Sequence, residues 1–204
     1  MTALVDFVQP HPFHAVLDAD TMARLNELLS AAQAAILLAD DLETVSICAK
    51  VGTLFHAKGE YDTAIEYHRK AEAIKLAKLG ADHPSLAATY SNLGSAFSSK
   101  GEYDTAIEYY RKAEAIYVAN DHPELATTYS HLGSAFSSKG EYDTAIEYHR
   151  KDEAITLAKL GADHPELAAT YGNLGSAFSS KGEYDTAIEY HRKAEAIRLA
   201  KLGA

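Results

Sequence analysis

GSAFSSKGEYDTAIEY occurs three times without a change, at Gly94–Tyr109, Gly133–Tyr148 and Gly175–Tyr190, and a looser copy, GTLFHAKGEYDTAIEY, occupies Gly52–Tyr67. The copies start at 52, 94, 133 and 175, steps of 42, 39 and 42 residues. A fixed period in this range predicts a stacked-repeat architecture, in which each unit buries its apolar face only against its neighbours. Working outward from the copied stretch, each unit reads as two helices. In the second copy Leu86, Tyr90, Leu93 and Phe97 recur at spacings of 4, 3 and 4 and make one buried stripe. Pro84 suits the first turn of that helix, and Asp82 or His83 is placed to cap it. Ser98-Ser99-Lys100-Gly101 ends it, glycine supplying the backbone freedom of a tight turn. A second helix follows, with Tyr103, Ala106, Ile107, Tyr110, Ala113 and Ile116 inward and the i,i+4 pair Glu108/Lys112 outward.

The linkers at 78–84 and 159–165 are both KLGADHP, while the connection between them, which ends in Val118–Pro123, is three residues shorter counted from the second helix to the proline and predicts a slightly shorter second helix. Residues 1–18 carry Pro10 and Pro12 without a helical period and read as an extended arm. Residues 19–40 read as a single helix, with Met22, Leu25, Leu28, Leu29, Ala32, Ile36 and Leu37 spaced by threes and fours, that covers the open end of the stack. The four repeats then fall at about 45–78, 84–118, 123–160 and 165–203, within 41–204.

Composition bounds the function. The formal charge of −10 argues against non-specific binding to nucleic acid or to an anionic membrane surface. No apolar run approaches a bilayer-spanning length. Cys48 is the single cysteine, so no disulfide within the chain can form, and a cytoplasmic location is expected. Neither a nucleophile elbow, a phosphate loop nor a zinc spacing occurs, so no catalysis, cofactor or metal is expected. The histidines of the DHP linkers, about 40 residues apart, cannot gather on one ion.

Tyr90, Leu93, Gly94, Phe97, Gly101, Tyr103, Ala106 and Ala113, with their equivalents in the other units, resemble tetratricopeptide repeats, and the LG-x-DHP linker is similar to the subtype found in kinesin light chains. The resemblance covers roughly residues 45–204. It implies an all-α, right-handed superhelical solenoid of four helix-turn-helix repeats, whose first helices line a concave groove that holds a peptide or a partner helix. Carried over position by position, that groove contains Lys50, Thr53 and His56, then Ser91, Asn92, Ser95 and Ser98, then Ser130, His131, Ser134 and Ser137, then Gly172, Asn173, Ser176 and Ser179. It is small, polar and nearly uncharged, which disfavours clamping of a terminal carboxylate.

Identical segments cannot tell one ligand residue from another, so discrimination falls to positions that differ between units: Lys50, Asn92, His131 and Asn173. Asn92 and Asn173 can donate to and accept from a ligand backbone, and His131 would make binding sensitive to pH near neutrality. Asp152 stands where the other units have alanine, and is expected to loosen packing or face water. The partner expected is a protein or peptide. The alternative is a self-assembling scaffold, a homo-oligomer formed through Ala187, Ile188, Ala194 and Ile197 of the last helix or through the arm carrying Phe7, Val8 and Phe13.

Overall fold

A computed structural model describes residues 42–202, together with Arg24, Glu27 and Ala31, which are helical and exposed. The expected arm over 1–18 and most of the expected helix over 19–40 lie outside the described residues. Within the described residues 42–202 eight helices follow one another: α1 (Leu42–Ala57), α2 (Tyr61–Leu79), α3 (Ser85–Ser99), α4 (Tyr103–Ala119), α5 (Leu125–Ser138), α6 (Tyr142–Leu160), α7 (Pro165–Lys181) and α8 (Tyr184–Leu202). They fall into two compact units divided after Gly80. The first holds the hairpin α1–α2. The second holds α3 to α8, with α3 on α4, α5 on α6 and α7 on α8 as hairpins, and α4 on α5 and α6 on α7 as the contacts that stack one hairpin on the next.

Local chemistry sets the helix ends. At the end of α3, Gly101 takes φ +85°, its N–H bonds Ser98 O, and Glu102 N–H bonds Phe97 O. This pair of bonds satisfies carbonyls the helix leaves orphaned, and the left-handed residue it needs is why glycine stands there. The first helices start from histidine: Nδ1 of His83, His122 and His164 accepts from the N–H two residues on, at 3.2, 3.2 and 3.3 Å. Of the two cap candidates in the DHP linker the histidine is the one used, so these three side chains are structural. The shortened linker leaves α4 with 17 residues against 19 in α2, α6 and α8.

In the first unit, Cys48, Val51 and Phe55 of α1 pack on α2, where Phe55 stacks on Tyr67 at 5.7 Å. In the second unit Leu86, Ala87, Tyr90, Ala113, Ile116 and Tyr117 form one cluster, with Leu125 of α5 packed against it. Ile146 of α6 meets Leu174, Ala177 and Phe178 of α7, and Leu167, Ala168, Ala194 and Ile197 close the last hairpin. Lys139 reaches back to Asp104 (2.7 Å) as well as to Glu141 (2.6 Å), and Lys181 does the same with Asp143 and Glu183. The bridges to Asp104 and Asp143 link consecutive hairpins, those to Glu141 and Glu183 stay within one turn, and all are partly exposed and contribute little energy. The expected outward pair Glu108/Lys112 gives way to a ring contact that recurs in the later units: Lys112, Lys151 and Lys193 sit over Tyr109, Tyr148 and Tyr190 at 4.5–4.7 Å.

Each second helix also lays one ring flat on a glycine of its partner. A methyl group on Gly94 would lie 2.6 Å from the Tyr110 ring, and on Gly133 2.5 Å from His149 Cε1; in the first unit Gly52 and His68 repeat the contact at 2.6 Å. Tyr110 completes its contact with a hydroxyl bond to Ser95 (3.2 Å). His68 and His149 have no such bond at Nδ1, and burial pushes both down to about 4.

Asp152 corrects the expectation of a loosened or water-facing side chain. It is buried, Thr156 donates to its Oδ1 and Thr170 to its Oδ2, both at 3.0 Å. Thr156 replaces the Lys75, Tyr117 and Arg198 of the other units, so the two departures from the repeat answer each other. A buried carboxylate is tolerated where its oxygens are hydrogen-bonded. Burial still pushes its pKa up, against the pull of the two threonine bonds.

Candidate functional site

The hairpins of the second unit are near-copies, so the positions where they differ stand out against a fixed scaffold. Tyr117 has Thr156 and Arg198 as counterparts, Thr127 has Ala88 and Ala169, His131 has Asn92 and Asn173, and Tyr110 has His149 and His191. All four departures meet at the joint between the second and third repeats, where the linker is also three residues shorter. Losing those residues pulls His122 over Tyr117, the rings stacking at 4.6 Å and 21°. Asp121 in the same turn holds φ +45°, the one non-glycine residue with positive φ among those described. His131 in turn stacks on Tyr110 at 5.2 Å.

Between α3 and α5 this arrangement leaves a cleft of about 500 Å³, whose lining includes Ser91, Asn92, Tyr117, His122, Thr127 and His131. Among the described residues lining it, Glu124 is the one carboxylate, and neither lysine nor arginine is present. Tyr117 forms the buried floor. Burial first, then the Glu124 charge, push its phenol up, while a bond with Ser91 pulls it down.

The groove residues expected from the sequence divide under this geometry. Ser91, Asn92 and His131 come together in the cleft. Asn173 instead donates to Ser130 Oγ at 3.1 Å and ties α7 to α5, so both of these side chains serve the stacking. Ser95 is engaged by Tyr110, and Ser176 returns its proton to Gly172 O on its own helix at 3.0 Å. Ser134 is exposed. In the first unit, Thr53 bonds Ala49 O (2.9 Å), Lys50 is half-buried, and His56 tilts against Tyr61 at 5.4 Å. His131, expected to titrate near neutrality, is shifted to lower pH. Burial pushes its pKa down, only partly offset by the Glu124 charge, and its Nδ1 is buried without a partner. The imidazole is therefore neutral at pH 7. Tyr117, His122 and Thr127 escaped the sequence reading; comparing the copies column by column along the second helix and the linker is the signal that finds them.

The expected assembly face is also built differently. Ala187, Ala194 and Ile197 are buried inside the last hairpin, because they face α7, and only Ile188 of the four is exposed. The open surface of α8 is Tyr184, Ile188 and Leu199, with 66%, 48% and 60% exposure, where the counterpart Ile146 keeps 6%. Among the described residues no three His, Cys, Asp or Glu side chains are grouped to hold a metal, and no helix is long and apolar enough to cross a membrane.

The fold and the repeat signature have known counterparts. No curated protein matches the chain. Among solved structures, it is similar to a Podosopora anserina kinesin light chain variant of nearly identical TPR-like repeats, at 24% identity over 89% of this chain and 87% of that one, with a TM-score of 0.75. BtubC from P. vanneervenii aligns at 23% identity over 91% and 79%, with a TM-score of 0.77. MamA aligns at 25% identity over 93% and 100%, with a TM-score of 0.67. The tetratricopeptide repeat model itself matches residues 44–117 and 124–200, most of the chain. With paired helices, a period near 40 and that match in agreement, the chain belongs to the tetratricopeptide repeat family.

Proposed function

We propose that this chain is a non-catalytic, cytoplasmic interaction module that holds an extended or helical segment of a partner protein in the cleft between its second and third repeats. The supporting observation is the convergence of Tyr110, Tyr117, Thr127 and His131 on one joint of an otherwise copied scaffold. A scaffold needs only the copied residues, and a selective contact needs residues that occur once. The cleft is concave, has a buried aromatic floor and carries a few placed polar groups, the usual anatomy of a recognition site.

The test uses a fluorescent random nonapeptide library screened against the folded chain. Thr127→Ala with His131→Asn puts back the residues found at the counterpart positions, so the variant keeps its helices. Enriched peptides are expected to lose about tenfold in affinity, the size of one modest interface contact, with an unchanged far-ultraviolet melting curve. Unchanged affinity would sink the reading.

Self-assembly remains the second reading, supported by the exposed Tyr184, Ile188 and Leu199 of α8. On that reading Ile188→Glu removes concentration-dependent association in sedimentation velocity. A parent chain that stays monomeric at every concentration rejects it.

A further inference from the structure

The cleft between α3 and α5 also specifies the charge of what it takes. Its one acidic lining residue is Glu124, which is exposed, and among the described lining residues there is no lysine or arginine. His131, stacked on Tyr110 with its Nδ1 buried and unpaired, adds no positive charge. The backbone N–H of Glu124 bonds His122 Nδ1 (3.2 Å), which sets the residue beside the half-buried His122 ring, itself stacked on the buried Tyr117. A carboxylate beside an accessible aromatic ring suits an ammonium or guanidinium group, which gains from both the charge and the ring.

The same protein pairs cations with rings elsewhere, as in Lys151 over Tyr148 at 4.5 Å, so the chemistry is native to this scaffold. The next joint lacks the arrangement. There Thr156 replaces Tyr117, and Asn173 bridges to Ser130 across α5 and α7. Glu166, the counterpart of Glu124, therefore stands without the aromatic floor.

We infer that the cleft selects a partner segment bearing lysine or arginine, whose cation docks against Glu124 beside the His122 ring that covers Tyr117. This rests on the proposed peptide-binding reading and deepens it. The probe is a set of four fluorescent nonapeptide pools, randomised except for a central Lys, Arg, Glu or Leu, titrated by anisotropy. The Lys and Arg pools are expected to bind about fivefold tighter than the Glu and Leu pools, the gain of one partly exposed charge contact, with the advantage shrinking as salt is added. Glu124→Gln should bring all four pools within about twofold of one another, while Glu166→Gln leaves the preference intact. Pools that bind equally, yet lose affinity in the Thr127→Ala/His131→Asn variant, overturn the charge assignment and leave the cleft standing as a peptide site. A preference that Glu166→Gln abolishes as well overturns it in favour of the overall negative charge. Pools that do not bind at all overturn both readings.

Discussion

Stability of this chain is expected to fall steeply between pH 6.5 and pH 4, and the double variant His68→Tyr/His149→Tyr is expected to lose much less. Both imidazoles are 2% exposed and lie flat on Gly52 and Gly133, and burial brings both down to about 4 from the ordinary 6.5; for His68 a nearby His56 adds to the depression. The sign follows from linkage. Below 6.5 the unfolded chain takes up protons that the folded chain refuses, so the stability these rings contribute is complete above 6.5 and is lost as pH falls to about 4. The interval corresponds to about 3 kcal/mol for each ring, a large share of the roughly 5–15 kcal/mol that keeps a domain folded. Tyrosine suits both places, because Tyr110 occupies the equivalent site and bonds Ser95, and Ser134 and Thr53 are the counterparts of that serine.

Urea unfolding at pH 7, 5.5 and 4 measures the effect. Equal acid losses in parent and variant would show that the rings are not buried as neutral species. Asp152 works in the opposite sense. Its raised pKa means that the folded state binds a proton before the unfolded state does, so acidification adds stability through this group. Asp152→Asn should therefore make the acid loss steeper in the same experiment.

The helices were legible because the repeat states its own grammar four times. Leu86, Tyr90, Leu93 and Phe97 could be read as one stripe, and all four are buried. Which of two buried sides a residue of a second helix uses was not legible, since a helix in a stack is apolar towards its hairpin partner and towards the next repeat at once. That ambiguity is why the pattern puts Ala187, Ala194 and Ile197 on an assembly face although they pack into their own hairpin. Polar residues failed for a related reason. Spacing shows that Asp152 and Asn173 lie on a packed side of the stack, but the threonines and the serine that satisfy them come from other turns or other helices, 4, 18 and 43 residues away. Half of the candidate cleft could be read from the first helices, in Ser91, Asn92 and His131. The other half depends on a shortened linker folding His122 over Tyr117, a contact between an element and the turn that ends it, and periodicity carries no information about that.

Gly133→Ala and Gly175→Ala change the same residue in the same sixteen-residue copy, and they are expected to move stability in opposite directions. Glycine inside a helix costs about 0.5–1 kcal/mol relative to alanine, so with open space both substitutions would stabilise. At Gly133 the new methyl would lie 2.5 Å from the His149 ring, which is buried and cannot withdraw. Overpacking of that kind costs about 1–3 kcal/mol and outweighs the helix gain. At Gly175 the methyl would lie 2.7 Å from His191, a near-equal clash on paper, but that side chain is exposed and can rotate outward into solvent. Gly175→Ala is therefore expected to be neutral or stabilising by up to about 1 kcal/mol. The cause can be isolated by a double-mutant cycle. His149→Ala is itself destabilising because it opens a cavity, and in that background Gly133→Ala should switch from destabilising to stabilising, since the methyl enters space the ring has left. Denaturant unfolding of the four proteins of the cycle, with Gly175→Ala alongside, measures all the signs. A Gly133→Ala penalty that persists without the ring would place its origin in the backbone, and the docking of each ring on its glycine would cease to explain why a glycine stands in the middle of every first helix.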